Sequence, residues 1–82
     1  MAIIVPFPTI RRRAFIERQA HRASCLSPES GEKHIRRQLD IQSETMARKG
    51  IHAAQIEHER ITLEAAIRAE LVRARLFPTG AA

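Results

Sequence analysis

The four prolines and three glycines do more than anything else to divide this 82-residue chain. Pro6 and Pro8 stand near the start, Pro28 further in, Gly50 past the middle, and Pro78 and Gly80 near the end; only Gly31 falls elsewhere. Proline fixes φ and lacks an amide proton, while glycine loses the most entropy inside a helix, so helices start or stop at these residues. The uninterrupted stretches between them predict an all-α, three-helix domain spanning residues 10–77, with helices over about 10–25, 28–49 and 53–76.

In the first stretch Thr9, directly after Pro8, is placed to cap the helix start. Plotted at helical spacing, Phe15, Ile16, Ala23 and Leu26 fall within about 100° of one another and form an apolar face. Arg11, Arg18 and Arg22 fall largely outside that face. In the junction Leu26-Ser27-Pro28-Glu29, Ser27 can cap and Pro28 occupies the first helical position, where a missing N–H costs nothing. Glu29 faces the positive helix end.

The second helix carries Ile35, Leu39, Gln42 and Met46 along a narrow seam, the pattern of a helix packed against another helix. Gly31 in its first turn weakens it slightly. Its end, Arg48-Lys49-Gly50-Ile51, places cations in the last turn and a glycine where a left-handed residue closes a helix. Helices two and three are therefore expected to form an antiparallel hairpin. His52 is a candidate cap for the third helix, with Gln55 three places on. Acid-before-base pairs four residues apart, Glu29 with Lys33, Glu32 with Arg36, Glu44 with Arg48 and Glu64 with Arg68, agree with helix throughout.

The third helix, roughly 36 Å long at 1.5 Å per residue, has two apolar sides. Ile56, Leu63, Ile67, Leu71 and Ala74 line one; Ile61, Ala65, Ala69, Val72 and Leu76 line the other. A helix apolar on two faces is covered twice within the fold or leaves one face for a partner, and the first helix is the element available to do the covering. The N-terminal segment, residues 1–9, raises the same choice. Ile3, Ile4, Val5 and Phe7 surround two prolines that forbid helix, so the segment is expected to be extended and to lie over the domain or dock on a partner. Residues 78–82 read as a disordered tail.

Charge is uneven. Of the formal net charge of +5, residues 1–26 supply most, with five arginines against the single acid Glu17, whereas residues 51–82 balance. Arg11, Arg12 and Arg13 open the first helix as an exposed face suited to steering toward phosphate or an acidic protein surface. The apolar, arginine-bearing start is not expected to be an export signal, because charged residues interrupt the apolar run such a signal needs. No run approaches the roughly 20 apolar residues of a membrane span. With one cysteine and no possible internal disulfide, the composition fits a cytoplasmic protein.

The residues carry no sign of catalysis. Histidines 21, 34, 52 and 58 have no recognised metal spacing and read as solvated side chains or caps, and Glu57 and Glu59 point to different sides of their helix. Cys25 reads as a buried or half-buried thiol. No cofactor, metal or enzyme activity is expected. Two other roles stay open: a small basic DNA-binding accessory protein, opposed by the acids Glu57, Glu59 and Glu64 in the last helix, and a self-associating structural protein.

The start IIVPFP followed by RRRAFI, the LSPE junction, the RKGI hairpin and LEAAIRAEL together resemble small helical proteins of rhizobia and related alphaproteobacteria, over about residues 3–73. Within that group the chain is similar to the QseM-type quorum-sensing antiactivators of mesorhizobial symbiosis islands. The resemblance implies a protein that binds a LuxR-family, TraR-like transcriptional activator, and a second activator of horizontal gene transfer, and prevents transcription from starting. It fixes no binding residues. Those expected from the residues themselves are the apolar anchors Ile3, Ile4, Val5, Phe7, Ile61, Ala65, Val72 and Leu76, with Arg11, Arg12 and Arg13 for steering.

Overall fold

The computed structural model describes residues 9–77, with side chains from Arg11 onward. Three α-helices, α1 (Thr9–Ser24), α2 (Pro28–Arg48) and α3 (Ala53–Leu76), each pack on the other two. Among the described residues there is no strand. Helix α1 begins one residue earlier than expected, with Thr9 as its first residue. The expectations for an extended segment over residues 1–8 and a tail over 78–82, and for capping by the Thr9 side chain, lie outside what is described.

Both connections are built by the residues that marked them in the sequence. Ser27 has extended backbone and its Oγ accepts the Ser30 N–H at 3.2 Å, with Pro28 opening α2. At the other end Gly50 takes a φ of 81° and donates to the Ala47 carbonyl at 3.0 Å. The Ile51 N–H reaches back to the Met46 carbonyl at 3.1 Å, which completes a Schellman ending. His52 caps α3, its Nδ1 accepting the Ala54 N–H at 3.2 Å. Neither connection exceeds four residues, so successive helices run antiparallel and α1 runs parallel to α3.

The core joins Phe15, Ile16, Ala20 and Ala23 of α1, Ile35 and Leu39 of α2, and Leu63, Ile67 and Leu71 of α3. Each buried Leu, Ile or Phe side chain contributes about 1.5–3 kcal/mol of transfer free energy. Met46 is buried further along the α2 seam, while Gln42 is only half-buried. Leu26, expected on the α1 face, lies beyond the end of α1 and is exposed.

Gly31 does more than weaken a helix. It is buried, and a Cβ built on it would lie 3.1 Å from the Ala23 carbonyl oxygen and 3.6 Å from the Ala23 Cβ. The missing side chain lets α2 approach the backbone of the last turn of α1.

Ion pairs tie the helices together. Arg68 of α3 forms a two-pronged contact with Glu32 of α2, Nη1 to Oε2 at 2.6 Å and Nη2 to Oε1 at 2.8 Å, and also holds Glu64 at 3.0 Å. Glu32 thus reaches across to α3, where same-helix pairing with Arg36 was expected. Hydrogen bonding from Arg68 holds the Glu32 carboxyl below its usual range, and the same bonds raise the guanidinium. Arg60 joins Asp40 at 2.8 Å and donates to Ser43 Oγ at 3.2 Å. Burial of Leu63, Ile67 and Leu71 fixes the rotation of α3 about its own axis, and these contacts agree with it. That rotation decides which of its two apolar sides faces outward.

Candidate partner-binding surface

The side of α3 that faces the core carries Glu59, Leu63, Ile67 and Leu71, all buried. On the opposite side Ile61, Ala65, Ala69, Val72 and Leu76 fall within about 80° of one another at 3.6 residues per turn. All five are exposed, Ile61 at 58%, Val72 at 55% and Leu76 at 66%. Helix α1 packs on α3 but leaves this stripe exposed among the described residues. Each of its large members leaves more than half of its surface in water. Ile3, Ile4, Val5 and Phe7, the other expected anchors, lie outside the described residues.

The sequence pattern of DUF6074 matches residues 1–82. The chain belongs to DUF6074, a family of unknown function. No curated protein and no solved structure matches it.

The three arginines that open α1 in this DUF6074 chain do not act alike. Arg11 is exposed, and Arg13 is exposed beside Glu17 at 3.4 Å. Arg12 turns inward, and its Nη1 lies 2.8 Å from Oε1 of the buried Glu59. That oxygen has no well-aligned hydrogen bond, so the contact acts through charge. Arg12 therefore leaves the exposed steering set: it neutralises an acid that α3 carries into the core side. Arg11, Arg18 and Arg22, seven and four residues apart, remain as an exposed ladder on α1.

Two further expectations are corrected. Cys25 is exposed, because α1 stops at Ser24 and the next residues turn outward. His34 is a half-buried partner of Gln19, with Nε2 2.6 Å from Gln19 Oε1. Burial lowers its pKa, and the nearby Arg22 charge acts in the same direction. With Nε2 protonated the ring donates to the buried amide oxygen, which satisfies a polar group that burial would otherwise penalise. Gln19 gave no sign of this role in the sequence, although it stands four residues before Ala23 on the buried face.

Among the described residues no group of three or more His, Cys, Asp or Glu converges to hold a metal ion. The concavity lined by Glu70, Arg73, Ala74 and Phe77 is drawn from one end of α3, and its two charged residues pair with each other at 3.6 Å. No helix among the described residues is long and apolar enough to cross a membrane.

Proposed function

We propose that this chain is an antiactivator: a cytoplasmic protein-binding module that captures a transcriptional activator of the LuxR/TraR type and holds it inactive. The observation that carries the reading is the uncovered stripe Ile61, Ala65, Val72 and Leu76 on a helix whose other side already builds the core. Burying one Ile, Val or Leu against a partner contributes about 1.5–3 kcal/mol, so a few such anchors supply useful affinity without any chemistry. Ile3, Ile4, Val5 and Phe7, apolar in sequence, are the further anchors of this proposal. Arg11, Arg18 and Arg22 steer the chain toward an acidic partner.

The resemblance to QseM-type antiactivators supplies the class of partner, including a second transfer activator, and sequestration needs only mass action. The arginine layout weighs against direct DNA binding. Of the run expected to neutralise phosphates, Arg12 is engaged by Glu59 and Arg13 lies beside Glu17.

The test is affinity capture from cells that express a LuxR-type activator. The intact chain is expected to retain the activator, and Ile61→Asp or Val72→Glu to lose it while circular dichroism shows unchanged helicity. Equal recovery by both variants refutes this surface. Retention of a DNA duplex by the protein alone, weakening steeply with salt, moves the function to nucleic acid.

A further inference from the structure

The residues beside the exposed stripe of α3 are ordered by charge. Glu57, Glu64, Arg68 and Arg75, spaced by seven, four and seven residues, run along one flank of it, acids in the first half of the helix and bases in the second. A second α3 laid alongside in the same direction sets this flank against the other one, Thr62, Ala66 and Arg73, which gives the acids no base and places Arg75 near Arg73. Laid in the opposite direction, it sets the flank against itself, with Glu57 against Arg75 at each end, while Glu64 and Arg68 in the middle are already paired with each other and, for Arg68, with Glu32. Two small residues, Ala65 and Ala69, occupy the middle of the stripe, and the large ones, Ile61, Val72 and Leu76, stand toward its ends.

We infer that two copies of this chain pair through α3, antiparallel, about a twofold axis that passes between Ala65 and Ala69. In that register Ala65 of one copy lies against Ala69 of the other, where small side chains let the helix axes approach to about 8–10 Å. Ile61 packs on Val72 of the second copy. Glu57 stands beside Arg75 of the second copy on the solvent side of the contact. The arrangement is isologous, so each contact occurs twice and closes the assembly at two copies. Apolar burial supplies the affinity. The flanking charges fix direction and register, because exposed ion pairs contribute only about 0–1 kcal/mol each.

The pairing uses the surface proposed above for the activator, so self-association and activator capture compete. The claim of self-pairing does not rest on the activator reading, since it is tested with the purified chain alone.

Sedimentation of the full chain is expected to show a monomer–dimer equilibrium that Val72→Glu weakens roughly tenfold or more, a loss of at least about 1.4 kcal/mol. Glu57→Arg and Arg75→Glu each weaken it, and the two together restore it. In a Cys25→Ser background, which removes the exposed thiol, Ala65→Cys with Ala69→Cys is expected to give disulfide-linked dimers. Leu76→Cys is not, because the two copies of that position lie about 27 Å apart along the axes at 1.5 Å per residue.

A chain that stays monomeric at millimolar concentration overturns the inference. So does a dimer indifferent to Val72→Glu, or one that cross-links through Leu76→Cys. A monomer that dimerises only after residues 2–7 are removed assigns the stripe to the chain's own N-terminal segment and overturns pairing of the intact protein.

Discussion

Replacing Gly31 with alanine sets two effects of similar size against each other, and the structure says which wins. In an open helical position the change is favourable by about 0.8–1 kcal/mol, because alanine has the better helix propensity. Here the new methyl lies 3.1 Å from the Ala23 carbonyl oxygen, inside the roughly 3.3–3.6 Å of an ordinary carbon–oxygen contact, so a neighbour must give by a few tenths of an ångström. The obstructing atom belongs to the backbone of the last turn of α1, which cannot swing aside as a side chain can. Relief requires α1 and α2 to separate where fully buried Ala23 meets the core, and forcing extra atoms into a packed interior costs about 1–3 kcal/mol. The balance is a loss of about 1 kcal/mol. For a domain of this size that lowers Tm by about 4–8 °C. Urea midpoints of the two proteins measure it, with thermal melts followed by circular dichroism as a second reading. A Gly31→Ala protein more stable than the parent by about 0.8 kcal/mol, the helix-propensity value, refutes the close approach of the two helices.

Gly50→Ala is expected to cost about 1–2 kcal/mol for a different reason: nothing lies within 4 Å of its Cβ position, but its φ of 81° disfavours any residue with a side chain. Gly50→Asn, which tolerates that backbone, is expected to recover part of the loss in the same urea assay, whereas no loss in either variant contradicts the Schellman ending. Glu59→Gln removes the charge that holds Arg12 at 2.8 Å and is expected to lower stability by about 1–3 kcal/mol, less if Arg12 swings out to water; an unchanged urea midpoint marks the pair as incidental. The lowered pKa of His34 means that the unfolded chain takes up a proton before the folded one, so stability falls as pH drops from its ordinary value of 6.5 through the folded value. His34→Gln, which can still donate to Gln19, is expected to flatten that fall between about pH 7.5 and pH 5.5, and parallel curves for the two proteins contradict the burial of His34.

Features that depend on residues close together in the chain could be read before any coordinates. Ser27 and Pro28 start a helix with atoms three residues apart, and Gly50 ends one through bonds to Ala47 and from Ile51 to Met46. The α2 seam and the two sides of α3 follow from helical spacing alone. What lay beyond the sequence depends on how the helices are turned against one another. Arg12 and Glu59 are 47 positions apart by their numbers, and nothing in either neighbourhood marks them as partners. Glu32 had a suitable base on its own helix, yet Arg68 sits where a two-pronged contact is possible, and a planar guanidinium satisfies a carboxylate better that way. Gly31 looked like a weak helix residue because helix propensity is a property of one chain, whereas its use is a contact between two. Gln19 and His34 were unreadable as a pair for the same reason. Cys25 was misplaced through the general tendency of cysteine to be buried, which a helix end one residue earlier overrides.

The candidate surface follows the same division. Spacing identified Ile61, Ala65, Val72 and Leu76 as a face; the packing of Leu63, Ile67 and Leu71 into the core left that face outward. Its assignment to an activator is best tested by capture with purified components. A LuxR/TraR-type activator is titrated onto the immobilised chain, with Val72→Glu as the comparison. The account predicts saturable binding by the parent and at least tenfold weaker binding by the variant, since a buried unpaired charge costs more than about 1.4 kcal/mol, with both proteins equally helical. Equal affinity for parent and variant contradicts it.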